Sequence, residues 1–391
     1  MLLRRKRRAL EDLYTVTILA FLILFASMVS VELGLSVAII EIVLGVFAGN
    51  VLGLQPRPWL EFLAGFASIV LTFLAGAEVD PDLLRAKFKE SALIGGVSFL
   101  APFLLVWAFA YLVLGWEGRA AQIAGVALST TSLAVVYAVL VETGLTNVEI
   151  GKVIMASTFV TDLGTAVALS VMFVQPTPWL LAFVAFSGVA IWAMPRLAPW
   201  FFSRYGDRVI EPEIKGAFAV LFALTYFGAL AESHAVLPAF LLGLAVARVF
   251  HRHRLAQERF RVVAFAFLTP FFFLKGGMNI SIGAVAANLG LVGLLLAVKL
   301  VAKLVGVYPL ARRYLGKDAW YTTLLMSTGL TFGTISSLYG LNAGIIDRAQ
   351  FSVLVTVVVL TAIIPTAIAQ HWFTPSAGEP ALALVEGEAQ R

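Results

Sequence analysis

Thirteen times along this chain an apolar run recurs that is long enough to cross the hydrocarbon core of a bilayer as an α-helix, about 20 residues. The runs lie at approximately 13–30, 33–53, 59–77, 91–115, 120–141, 150–174, 178–199, 214–231, 234–250, 260–277, 284–309, 320–343 and 350–370. In hydrocarbon every backbone N–H and C=O must be satisfied within the segment, so such runs imply an all-α polytopic membrane protein. The composition agrees: 60% of residues are hydrophobic and 13% charged, about half the charged share of a soluble domain, and the mean hydropathy is +0.94. The first run lacks a small-residue cleavage site and is expected to be retained rather than removed as a signal peptide. The chain has no cysteine, which excludes disulfides, thiolate metal sites and thiol nucleophiles. Of its four histidines, His251, His253 and His371 lie in or beside loops and do not make a multi-histidine metal centre.

The net charge of +5 would suggest a nucleic-acid partner in a soluble protein. Here the basic residues lie between apolar runs, so no nucleic-acid partner is expected and the pattern reads as topology. Arg85, Lys87, Lys89, Lys152, Arg196, Arg204, Arg208, Lys215, Arg248, Arg252, Arg254, Arg259, Arg261, Arg312, Arg313 and Lys317 are assigned to the exits of odd-numbered spans, whereas Arg57, Arg119 and Arg348 follow even-numbered ones. The positive-inside rule then places the N-terminus outside and the C-terminus in the cytoplasm of a multi-pass protein of the cell inner (plasma) membrane. The run Arg4-Arg5-Lys6-Arg7-Arg8 in the basic segment 1–12 argues the other way. The polar tail 375–391 is expected to be disordered.

Asp162 stands alone near the middle of VIMASTFVTDLGTAVALSVMFV, and a carboxylate at membrane depth costs several kcal/mol unless something pairs with it or binds to it. Lys299 and Lys303, one helical turn apart in VKLVAKLVG, lie inside another apolar stretch. A buried acid and buried bases in separate spans point to an ion or proton pathway.

The two halves of the chain resemble each other. Leu44-Gly45 matches Leu242-Gly243, Phe73-Leu74-Ala75-Gly76 matches Phe273-Leu274-Lys275-Gly276, and Ser129-Thr130 matches Ser327-Thr328, with offsets of 198, 200 and 198 residues. A displacement of seven spans reverses orientation in the membrane, which is the inverted repeat of many secondary transporters. The last match carries hydroxyl and glycine clusters at mid-depth, Ser129-Thr130-Thr131-Ser132 and Ser327-Thr328-Gly329-Leu330-Thr331. Such residues either satisfy the backbone where a helix is broken or bond back within an intact helix. Their presence in both repeats favours two broken helices.

With these segments assembled, the chain resembles the monovalent cation:proton antiporters, including Na+/H+ exchangers of the NapA and NhaA type and the membrane part of Kef-type K+ systems. The resemblance runs through AIIEIVLGV around Glu41, FLAGAEVDPDLL around Glu78, ALSTTSLAV, STFVTDLGT, FLTPFFFLKGG and AKLVG. It implies about 13 transmembrane helices with inverted repeats and two broken crossing helices. It implies also a mobile core domain at 90–174 and 284–370, a dimerisation domain at 13–77 and 214–277, a linker helix at 178–199, and a homodimer. By the same resemblance Asp162 is the aspartate that binds cation and proton in turn, and Lys303, three residues before Gly306, pairs with it. Thr161 stands where many electrogenic members carry a second aspartate, and Gly329-Leu330-Thr331 stands where many relatives carry Arg-Gly-Glu.

The expected activity is exchange of Na+ or Li+ for H+ by alternating access, in which both ions compete for Asp162 and no cofactor is needed. Thr161, Ser129, Thr130, Thr131 and broken-helix carbonyls would supply the further oxygens that a hard cation requires. Lys299, Thr328, Thr331, Glu78 and Glu41 are supporting candidates, the two glutamates more readily read as structural pairs. Lys275 is expected to pair with Glu232 or Glu78, and His234 is a possible pH sensor in an outer turn. A channel would need no titratable acid and base in separate spans. An intramembrane enzyme would need a nucleophile or metal motif, and the chain has neither, so no enzyme is expected. K+/H+ exchange is the alternative, although the chain lacks the Gly-x-Gly-x-x-Gly loop of a Kef-type nucleotide domain.

Overall fold

A computed structural model of the protein describes residues 2–33, 36–79, 87–145, 148–173, 177–206, 208–231, 233 and 235–375. Their regular structure is helical throughout, as segments without internal water must be. In chain order the helices are α1 (Leu2–Leu33), α2 (Val37–Asn50), α3 (Pro58–Ala77), α4 (Phe88–Leu112), α5 (Gly118–Ser129), α6 (Leu133–Glu142), α7 (Glu149–Met172) and α8 (Leu180–Tyr205). There follow α9 (Pro212–Leu230), α10 (Val236–Arg252), α11 (Arg254–Met278), α12 (Ile282–Ala287), α13 (Leu289–Leu315), α14 (Ala319–Met326), α15 (Thr331–Asn342) and α16 (Arg348–Trp372). Nine helical stretches among the described residues are long and apolar enough to cross a bilayer. The helix α1 begins well before the expected first span and takes the basic run into its first turns, where Arg and Lys propagate a helix readily.

Proline marks starts and distortions. Pro58 and Pro212 open α3 and α9, where the missing N–H costs nothing, and Pro238 lies in the first turn of α10. Pro270 falls inside α11 and cannot donate to the preceding turn. One π turn at Ala264–Leu268 absorbs the defect just before it, with the Thr269 N–H reaching Ala264 O.

The described chain separates into two compact units. The first comprises the described residues within 1–80, 166–289 and 341–353, the second those within 81–165, 290–340 and 354–391. The segment 178–199, expected to be a linker, belongs to the first unit, where α8 packs on α9 and α10.

In the first unit, α2 packs on α11 and α3 on α10 with backbones in direct contact. A Cβ on Gly45 would run into Leu274 O, and one on Gly277 into Ile42 O; a Cβ on Gly76 would meet Phe240 O, and one on Gly243 Phe73 O. Glycine at these positions permits helix approach driven by packing, since lipid offers no hydrophobic drive between helices. Around the second pair Phe73, Phe218, Phe250 and Phe260 stack and tilt on one another. In the second unit, Ile94, Val136, Ile154, Val307, Tyr321, Leu325 and Met326 form a core that joins α4, α6, α7, α13 and α14.

Candidate ion-binding site

Two helices of the second unit are interrupted where the hydroxyl clusters lie. The helix α5 stops at Ser129, Thr130 turns extended (φ −65°, ψ 156°), and α6 resumes at Leu133. The helix α14 stops at Met326 and α15 resumes at Thr331. A helix end leaves four carbonyls without intrahelical partners, and the local hydroxyls take them up. Ser129 Oγ donates to Val126 O (2.8 Å) and Thr130 Oγ1 to Ala127 O (3.2 Å). Ser327 Oγ donates to Thr323 O (2.7 Å) and Thr328 Oγ1 to Leu325 O (2.8 Å).

The breaks are also joined to each other. Thr131 Oγ1 donates to Met326 O (2.9 Å), and the Ser132 N–H donates to Thr328 Oγ1 (3.3 Å). Ser132 Oγ in turn accepts from the Val135 N–H (3.4 Å), capping the start of α6. The expectation of broken helices thus holds for both clusters, and their hydroxyls do two jobs: they close each break and tie one to the other.

Asp162 lies on α7, 1% exposed, and its Oδ1 has no hydrogen-bond partner. One turn earlier on the same face, Thr158 Oγ1 donates to Ile154 O (2.9 Å) and touches Met326 Sδ (3.6 Å), which brings this helix against the second break. Thr161 is fully buried and donates to Gly95 O (3.2 Å) and Ser157 O (3.1 Å). Its proton is committed to carbonyls while its lone pairs remain available to a cation, as do those of Thr130.

Lys303 reaches the break from α13, but not as the sequence suggested. Its Nζ donates to Ser98 Oγ (2.7 Å) and Thr131 Oγ1 (3.1 Å). Among the described residues no cation comes within 4 Å of the Asp162 carboxylate, so Lys303 is not its ion-pair partner here. The two groups still attract each other at longer range. The reason for the difference is local: an ammonium has three donors, and Thr131 of the break and Ser98 of α4 offer it two neutral hydroxyl acceptors. Lys299, one turn away and fully buried, donates to Thr361 Oγ1 on α16 (2.9 Å).

The remaining candidates divide. Thr328 belongs to the joined breaks and Thr331, half-buried, opens α15. Glu41 is buried on α2 and Glu78 caps α3, both in the first unit. Glu78 forms an ion pair with Arg261 (3.2 Å), the structural role expected of it. Among the described residues Lys275 pairs with Glu61 rather than with Glu78. The correction follows from helix direction: Arg261 already holds Glu78, and Glu61 lies near the opposite end of α3 from Glu78. Glu232 and His234, like the segment 80–86 and the tail 376–391, lie outside the described residues.

Ser98, Thr361 and the Met326 carbonyl escaped the sequence reading. The signal for the first two was present, a hydroxyl at mid-depth in an otherwise apolar span, but it does not say which hydroxyl a given lysine reaches. Met326 O carries no side-chain signal at all.

Broken helices that meet beside a buried carboxylate and buried ammonium groups, in an all-helical protein of many apolar spans, define an ion-coupled secondary transporter. A family model described as sodium/hydrogen exchanger, transmembrane, matches residues 17–374, and the chain belongs to this family of cation:proton antiporters. It is 28% identical over 361 residues to the probable Na(+)/H(+) antiporter 3 of Methanocaldococcus jannaschii, covering 88% of this chain and 92% of that protein. It is 24% identical over 360 residues to the Na(+)/H(+)-K(+) antiporter GerN of Bacillus cereus, with the same two coverages. Among solved structures it resembles the sodium proton antiporter MjNhaP1 of M. jannaschii, with a TM-score of 0.68 at 15% identity over 94% of this chain and all of that one. That likeness establishes the fold.

Proposed function

We propose that this antiporter exchanges Na+ or Li+ for H+ through one shared site, in which cation and proton compete for Asp162. The observation that carries the reading is the buried Asp162 carboxylate with an unpartnered Oδ1 on the helix that touches the second break. A lone carboxylate removed from water is stable when something neutralises it, and either a proton or a hard cation does so. Thr161, Thr130 and the broken-helix carbonyls supply neutral oxygens for a cation, and Lys303 moderates the field from Thr131. Because Thr161 is not a carboxylate, one charge enters for each that leaves, and exchange is electroneutral at 1:1.

The second unit is the transport domain of an alternating-access cycle and the first the dimerisation domain of a homodimer. Both assignments rest on the family resemblance. The glycine contacts of α2 with α11 and of α10 with α3 support an inverted repeat, since Gly45 and Gly243, matched at an offset of 198 residues, each meet helix backbone of the other half of the chain. The excess of Lys and Arg after odd-numbered spans supports an N-terminus outside and a C-terminus in the cytoplasm of the inner membrane. The similarity to the Na(+)/H(+)-K(+) antiporter GerN favours K+ as the alternative cation.

The test is cation-driven dissipation of an imposed pH gradient in proteoliposomes, with Na+, Li+ and K+ on wild type and Asp162→Asn. A Na+ or Li+ response lost in the variant supports the proposal. A K+ response alone moves the assignment to K+/H+ exchange, and a response that survives the substitution removes Asp162 from the mechanism. A rate that changes with a clamped membrane potential overturns the 1:1 stoichiometry.

A further inference from the structure

The buried charges of the second unit do not balance. Among the described residues of that unit, Asp162, Lys299 and Lys303 are each 1% exposed or less, one carboxylate against two ammonium groups. A cation arriving at Asp162 therefore enters a site that already holds an excess of positive charge, and in a medium of low dielectric that excess is felt over several ångströms. Lys303 has a place in the proposed cycle; Lys299 has none.

Its geometry is specific. The Lys299 ammonium is anchored on Thr361 Oγ1 (2.9 Å), whose own proton goes to Val358 O (2.8 Å). It is packed against the second break at Gly329. A Cβ at that glycine would lie 2.5 Å from Lys299 Nζ, 3.0 Å from Thr130 Oγ1 and 3.4 Å from Thr361 Oγ1. The ammonium thus occupies the space left by a missing side chain, at the point where the second break faces Thr130 of the first.

We propose that Lys299 sets the affinity of the exchanger for its cation: docked in the second break, its fixed charge opposes occupancy of the Asp162 site and keeps bound cation exchangeable. A transporter must release what it binds, and an internal positive charge that is never transported supplies that weakening without a change in the ligand oxygens. Lys299 touches neither ion, so it is a positioning residue that acts through the field. The inference rests on Asp162 being the exchange site.

The test is the apparent KM for Na+ in proteoliposomes bearing the full-length protein, wild type against Lys299→Gln, which removes the charge and keeps a donor for Thr361. The expected result is a KM lower by at least about tenfold, the effect of one charge within roughly 10 Å at an effective dielectric near 20, together with a lower maximal rate as release slows. Thr361→Asp is the second variant, because it leaves the lysine in place and cancels its field; a KM shift in the same direction is expected. An unchanged or raised KM in either variant overturns the proposal, and so does a fall in maximal rate alone, which is what lost packing would produce. If Lys299→Gln does not fold, Thr361→Asp decides. No response of the wild type to Na+, Li+ or K+ refutes the exchanger reading itself, whereas a wild-type Na+ response with unchanged KM in the variants refutes only the role of Lys299.

Discussion

A methyl group added at Gly243 tests whether the α3–α10 contact is as close as the structure has it. The new Cβ would run into Phe73 O and lie 2.8 Å from Ala77 N, whereas ordinary contact begins near 3.4 Å. Both neighbours are helix backbone, which has no rotamer with which to yield, so the helices must separate by more than half an ångström. Overpacking of this kind costs about 1–3 kcal/mol. In a unit of roughly 200 residues each kcal/mol lowers the melting temperature by about 2–4 °C, which gives a fall of roughly 2–12 °C for Gly243→Ala. The assay is thermal unfolding of detergent-solubilised protein followed by size-exclusion fluorescence. Gly65→Ala on α3 and Gly293→Ala on α13 are the controls, since a Cβ at either meets nothing within 4 Å. Both should be neutral or slightly stabilising, as alanine is favoured over glycine in a helix. Gly76→Ala meets Phe240 O across the same interface, so the double variant should cost less than the sum of the two singles. A Gly243→Ala protein that melts within about 1 °C of Gly65→Ala would refute the backbone contact.

Asp162→Asn should leave the fold intact and melt no lower than wild type, because it removes a buried charge without an ion-pair partner; a large loss of stability would mean that the carboxylate holds the structure together. Lys275 is 1% exposed while its partner Glu61 is 46% exposed. Glu61→Ala, which strands a buried ammonium, should therefore lower the melting temperature more than Lys275→Met, which removes the charge and keeps the volume; equal effects would contradict this. The hydrogen bond from Lys87 to the Glu149 carboxylate holds the Lys87 ammonium above its ordinary range. Its contribution to stability is present at neutral pH and lost as pH rises through that raised value. Melting curves taken at increasingly alkaline pH should lose a small component in wild type that Glu149→Gln lacks from the start, and high salt should shrink it because both side chains are partly exposed.

Much of the candidate site was legible before any coordinates. Asp162, Lys299 and Lys303 stood out because a charge in a twenty-residue apolar run is costly and therefore conspicuous. The hydroxyl clusters at Ser129–Ser132 and Ser327–Thr331 stood out because they repeat at one offset, and helix breaks need polar side chains to close them. Partner choice was not legible. Lys303 was expected on Asp162 and goes to Ser98 and Thr131; Lys275 was expected on Glu78 or Glu232 and goes to Glu61. A span flanked by lipid on one side and protein on the other is apolar on both, so hydropathy does not report which face of the helix a side chain leaves from.

The sequence by itself determined that the chain is a helical membrane protein with one mid-depth carboxylate, and favoured two interrupted spans, because the hydrocarbon core penalises unsatisfied backbone and unpaired charge. Only the tertiary structure decided that Thr131 meets the Met326 carbonyl, that Lys303 docks on Thr131 at the first break and Lys299 on Thr361 of α16, and that Asp162 keeps an oxygen without a partner. Those outcomes depend on helix rotation and on ångström-scale approach between segments far apart in the chain, and many rotations of an apolar helix are compatible with the same run of letters.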